Sequence, residues 1–97
     1  MLFLARMDVN FPDHLTGDEV SDFQRRETAY STDLQEKGVM KAIWRVVGEY
    51  ANFSVFDIDD HDELHTILQG FPMFKHMDVR ITPLAKHPNA LEYYLKG

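Results

Sequence analysis

Two hydrophobic periods alternate along this chain, and their order leaves few architectures open. Leu2 to Asn10 reads as a strand, Thr16 to Lys37 repeats at helical spacing, and Val39 to Val47 and Ala51 to Ile58 read as strands again. Leu64, Ile67, Leu68 and Phe71 return to helical spacing, and Met77 to Leu84 closes the series as a strand. Local punctuation agrees. Phe11-Pro12-Asp13 ends the first strand, and Thr16 with Glu19 three residues on makes a capping box for the first helix. Gly38 ends that helix, and Gly48-Glu49-Tyr50 is short enough to join the middle strands as a hairpin. Asp59 or Asp60 caps the second helix, which runs to about Gln69 before Gly70 and Pro72 stop it. The order β-α-β-β-α-β is the split βαβ arrangement, whose right-handed crossovers place both helices on one face of a four-stranded antiparallel sheet. The expected fold is therefore an α+β, ferredoxin-like βαββαβ sandwich.

Ninety-seven residues suit one domain, 1–97, with 85–97 as a C-terminal tail. Leu91, Tyr93, Tyr94 and Leu95 make that tail too apolar for water, so it is expected to pack on a neighbouring subunit. Strand parity points to assembly as well. Phe3, Ala5, Met7, Met40, Ala42, Trp44, Val46, Phe53 and Val55 form an apolar set, whereas the opposite set mixes Leu2, Leu4, Ile43, Val47 and Phe56 with Arg6, Arg45, Asn52 and Ser54. Helices covering one face only would leave large apolar groups wet on the other, which predicts an oligomer.

One residue breaks the helical pattern. At about 100° per residue, Val20, Phe23, Glu27, Tyr30 and Leu34 fall within an arc of roughly 80°, with Glu27 near its centre. An acid on that face loses water, so its pKa rises unless a cation or several donors hold it. A raised pKa makes a proton-transfer group; a tight ion pair makes a structural one.

Other chemistries find less support. A formal charge of −6 opposes nucleic acid and anionic membrane as partners, although a local arginine can still take a small anion. The absence of cysteine removes disulfides and thiolate chemistry, and with no long apolar run or secretory signal the protein is expected to be cytoplasmic. The aromatic strand Tyr50 to Phe56 superficially suggests an RNA-binding surface but lacks the preceding basic-glycine element. His61 and His65 stand at i and i+4, a zinc-ligand spacing, yet no third ligand is evident, so they read as surface histidines and no metal is expected.

Several blocks together resemble one enzyme family. Met1-Leu-Phe, Met7-Asp-Val-Asn-Phe-Pro12, Glu27, Trp44-Arg45, Gly48 to Asp57, Leu64-His65, Leu68 to Phe74 with Met77-Asp78, and His87-Pro88 are similar to muconolactone isomerases almost end to end. The Trp44 to Asp57 block is the most specific. Two positions depart from the pattern: Glu49 and Leu4 stand where some members carry histidine. The resemblance implies a cofactor-free enzyme of catechol breakdown in the β-ketoadipate pathway, acting on a lactone, with a dimeric α/β-barrel type of pairing within a homodecamer. It implies a 1,3-proton shift by one carboxylate, for which Glu27 is the catalytic candidate. Arg45 would grip the substrate carboxylate, and Tyr30, Tyr50 and Asn52 complete the expected substrate-binding set. The alternatives are a structural salt bridge for Arg45 and hairpin geometry for Tyr50 and Asn52. Arg6 is a further anion-binding candidate by strand position, and the resemblance assigns no role to His65 or His87. On the parity above, Arg45 points away from Glu27 unless the mixed set lies beneath the helices, an inversion the chemistry favours. A cofactor-free monooxygenase of the same fold, or a non-catalytic small-molecule-binding module, is the alternative reading.

Overall fold

The computed structural model describes residues 1–91. Four strands, β1 (Leu2–Val9), β2 (Met40–Arg45), β3 (Ala51–Asp57) and β4 (Met77–Leu84), alternate with two helices, α1 (Gly17–Glu36) and α2 (His61–Gly70). The order is the expected one, with a short 3-10 turn at Phe74–His76 added before β4. All pairings are antiparallel, and the sheet order is β2-β3-β1-β4. Among the described residues, no helix is long and apolar enough to cross a membrane.

The helix boundaries follow the capping chemistry read from the sequence. Thr16 Oγ1 accepts from the Glu19 amide, and the Glu19 carboxylate accepts from the Thr16 amide, both at 3.1 Å. At the other end Gly38 takes φ +75°, a left-handed conformation that glycine adopts without a Cβ penalty. The Gly38 and Val39 amides then bond back to Gln35 and Leu34, each at 3.0 Å. Of the two candidate caps for α2 it is Asp60 that acts, its Oδ1 accepting from the Glu63 amide at 2.7 Å.

The core lies between the helices and one sheet face, where Phe3, Ala5, Met7, Met40 and Phe56 meet Leu34, Leu64, Leu68 and Phe71. This corrects the strand-parity reading. In β1 the odd residues do face the helices, but Phe3 pairs with Phe56, Ala5 with Ser54 and Met7 with Asn52, so in β3 the even residues share that face. In β2 a register shift between Met40 and Ala42 inserts one extra residue, after which Ile43 pairs with Ser54 and Arg45 with Asn52. Ala42, Trp44, Phe53 and Val55 therefore lie on the opposite face, together with Leu4 and Arg6. Trp44 is 55% exposed there.

β2 also stops at Arg45, short of the expected Val47, because the chain turns early: Gly48 takes φ +80° and the Glu49 amide bonds to the Val46 carbonyl. Of the tail, Ala85 to Leu91 is described and mostly exposed; its predicted packing through Tyr93, Tyr94 and Leu95 lies outside the described residues.

Candidate active site

The register shift in β2 and the pairing of β3 with β1 bring Arg45, Asn52 and Ser54 beneath α1, and a cleft opens between them and the helix. Its volume is about 290 Å³, close to the lower bound of roughly 300 Å³ for small-molecule sites. Gln24, Glu27, Thr28 and Ser31 line it from α1, at the i, i+3, i+4 and i+7 spacing of one helix face. Ile43, Arg45, Tyr50, Asn52 and Ser54 line it from β2, β3 and their turn, and Phe71 and Met73 close it from the segment after α2.

Glu27 is half-buried, and its Oε1 accepts the Met73 backbone N–H at 3.1 Å. Burial raises its pKa above the ordinary glutamate value; the Met73 amide acts in the opposite direction without cancelling the effect. Among the described residues no cation contributes to this balance. Of the two situations anticipated for an acid on this helix face, the one found is burial with a raised pKa; Glu27 makes no ion pair among the described residues.

Across the cleft, Arg45 has no carboxylate partner within ion-pair distance among the described residues. Its guanidinium sits 5.3 Å from the Tyr50 ring centroid, a cation–π arrangement at the cleft edge, and no side-chain hydrogen bond among the described residues uses its N–H donors. The Tyr50 hydroxyl accepts from Gln24 Nε2 at 3.0 Å, which leaves its own proton to donate. Asn52 Oδ1 accepts from Ser54 Oγ at 2.8 Å, so the amide nitrogen of Asn52 is its group free to meet a ligand. Glu27, Arg45, Tyr50 and Asn52 are thus brought together.

Tyr30 is the exception. It lies outside the cleft lining, and its hydroxyl donates to the Ile67 carbonyl at 2.7 Å. Arg6 is likewise committed elsewhere, bonded to Asp8 at 3.0 Å and to Glu49 at 3.1 Å. His65 is exposed, His87 accepts from the Asn89 amide at 3.0 Å, and the His61 ring packs edge-on to Phe3. Among the described residues no three His, Cys, Asp or Glu side chains cluster as metal ligands would.

Sequence reading missed Gln24, Thr28, Ser31, Ser54 and Met73. The first three carried a signal, since they flank Glu27 at helical spacing, and Ser54 shares strand parity with Asn52. Met73 acts through its backbone amide, which no side-chain pattern reveals.

Fold and site together define a ferredoxin-like α+β protein whose cleft between sheet and first helix holds a half-buried glutamate opposite an arginine. Comparison with known proteins narrows that class. The family model described as muconolactone delta-isomerase matches residues 1–90. A Muconolactone Delta-isomerase from Cupriavidus pinatubonensis is 50% identical over 94% of this chain and 99% of its own length. One from Rhodococcus opacus is 45% identical over 89% of this chain and 92% of its own. A crystal structure of muconolactone isomerase superposes with a TM-score of 0.91 at 31% identity, covering 99% of this chain and all of the other. The chain belongs to the muconolactone delta-isomerase family, and it is an isomerase.

Proposed function

We propose that this enzyme converts muconolactone into the 3-oxoadipate enol-lactone, with Glu27 as the single base. The substrate is a five-membered unsaturated lactone with a carboxylate arm, and the reaction moves one hydrogen from C4 to C2. Glu27 takes the C4 proton, and the electron pair spreads through the C2–C3 double bond onto the lactone carbonyl oxygen as a dienolate. The same carboxyl group then returns the proton to C2, the double bond settles between C3 and C4, and the enzyme is regenerated. A carbon acid of this kind is weak, so the site must supply both a strong base and a place for the negative charge. Desolvation of Glu27 supports the first requirement. The Tyr50 hydroxyl and the Asn52 amide, each left with a free donor by its neighbour, suit the carbonyl oxygen. Arg45 suits the carboxylate arm, which its fork can hold through two N–H groups.

The observation that carries this reading is the half-buried Glu27, raised in pKa, in the same cleft as an arginine that has no acidic partner among the described residues. We place the enzyme in the cytoplasm as a homo-oligomer, supported by a cysteine-free chain and by the exposed Trp44 on the sheet face opposite the two described helices. The test is an ultraviolet assay on muconolactone. Glu27→Gln is nearly isosteric but cannot take a proton, so turnover falls at least about a hundredfold in a folded protein. Wild-type activity in that variant removes Glu27 from the mechanism.

A further inference from the structure

Tyr30 stands one helical turn beyond Glu27, yet it faces the end of α2 and not the cleft. Its hydroxyl bonds at 2.7 Å to the carbonyl of Ile67, one of the last four of α2, which lack intrahelical donors. The approach is close enough to demand glycine at position 70, because a Cβ there would overlap the Tyr30 hydroxyl and crowd its ring. The same ring packs edge-on against Phe71, with centroids 4.7 Å apart. Phe71 opens the tight turn that presents Met73: the Phe74 amide bonds back to the Phe71 carbonyl at 2.9 Å, and Met73 within that turn aims its N–H at Glu27 Oε1. Tyr30 and Glu27 therefore grip the two ends of one short segment from the same helix face.

We infer that Tyr30 is a positioning residue for the base. By clamping the end of α2 to α1, it holds the Met73 amide on Oε1 of Glu27. That contact leaves Oε2 as the oxygen to accept the substrate proton, and it tempers the basicity that burial confers. The inference rests on the reading of Glu27 as the base and extends it to the residue that sets the base's hydrogen bonding. Among the described residues, the ionisable groups facing Glu27 are Tyr30 on its own helix, and Arg45 and Tyr50 across the cleft. The Phe71 to Met73 segment contributes no ionisable side chain, and β1 offers only Met7 and Val9 to the cleft. A change at residue 30 thus reaches the carboxylate chiefly through the Met73 amide.

The test is Tyr30→Phe, which keeps the ring against Phe71 and removes the donor. With the amide loosened the carboxylate loses an N–H that favours its ionised form, so the acid limb of kcat/KM moves up by roughly half to one pH unit. KM stays within about twofold, because the cleft groups that meet the substrate are untouched. A readout independent of activity is the proton chemical shift of the Met73 amide in 15N-labelled protein. In the wild type that shift follows the titration of Glu27; in Tyr30→Phe the response shrinks. Gly70→Ala displaces the hydroxyl from the opposite side and gives the same two changes. A folded variant with lowered Tm but an unmoved acid limb and an unchanged amide titration would reduce Tyr30 to a structural role and overturn the inference. So would a wild-type Met73 amide that ignores Glu27, whether or not either variant folds. If Glu27→Gln were fully active, the base reading would fail alone, and the amide titration would still decide the clamp.

Discussion

Replacing Arg45 separates binding from chemistry. The guanidinium sits at the cleft edge over Tyr50 with no acidic partner among the described residues, so its removal breaks no ion pair and leaves no buried charge behind. What Arg45→Met loses is the pair of charge-assisted hydrogen bonds to the substrate carboxylate, each worth about 1.5–3 kcal/mol where water is excluded. Arg45 is an exposed residue, and solvent screening discounts that sum to about 2 kcal/mol in total. At 1.4 kcal/mol per tenfold, that is a rise of about thirtyfold in KM. The carboxylate arm does not change its charge during the proton shift, so the contact is equally strong in ground and transition states and kcat stays within about threefold. Arg45→Lys keeps the charge but not the fork and falls between the two, at about five- to tenfold in KM. Steady-state ultraviolet kinetics on muconolactone at fixed ionic strength reads both constants. An unchanged KM in Arg45→Met refutes the assignment, and a collapse of kcat with KM unchanged would place Arg45 on the dienolate oxygen instead.

Two further outcomes follow from the same geometry. Burial raises the Glu27 pKa above its ordinary value of 4.5, so the ionised form is the one folding disfavours. The stability this group contributes is therefore present below about pH 4.5 and lost as pH rises through the folded-state value. Glu27→Gln should then melt higher than wild type at pH 8, with the gap closing toward pH 4, as thermal unfolding followed by circular dichroism will show; a lower Tm at pH 8 contradicts the burial argument. Gln24→Leu frees the Tyr50 hydroxyl from its 3.0 Å donor and should lower kcat about three- to tenfold with KM little changed, because Tyr50 meets the oxygen on which charge develops; no additional effect is expected in a Tyr50→Phe background. Additive effects in the double variant would show that Gln24 acts by another route.

The elements of this fold were legible because each is written locally. The Thr16–Glu19 box, Gly38 and Asp60 act on groups within a few residues of themselves, and those contacts form as the pattern implies. Glu27 was legible for a related reason: a carboxylate on an apolar helix stripe departs from a periodicity contained in its own segment. The pairing of strands is not local. Parity assigns residues within one strand to two faces, but which faces of neighbouring strands coincide depends on register, and a shift of one residue reverses the answer. The extra residue between Met40 and Ala42 made that reversal within β2, so Arg45 joined Glu27 although simple alternation sets it apart. Tyr30 shows the same limit from the helix side. Its place on the stripe was clear, yet its partner is a main-chain carbonyl of α2, thirty-seven residues away in sequence.

If the Glu27 carboxyl carries the proton, its own ionisation must govern the rate. The carboxyl carbon of 13C-labelled Glu27 is followed by NMR across pH, alongside kcat/KM on muconolactone under the same conditions. Both should share one midpoint, above the ordinary glutamate value of 4.5, with the acid limb of the rate profile coinciding with ionisation of this side chain. A Glu27 that titrates at or below that value, or a rate profile that rises at a pH where Glu27 does not ionise, would contradict that role.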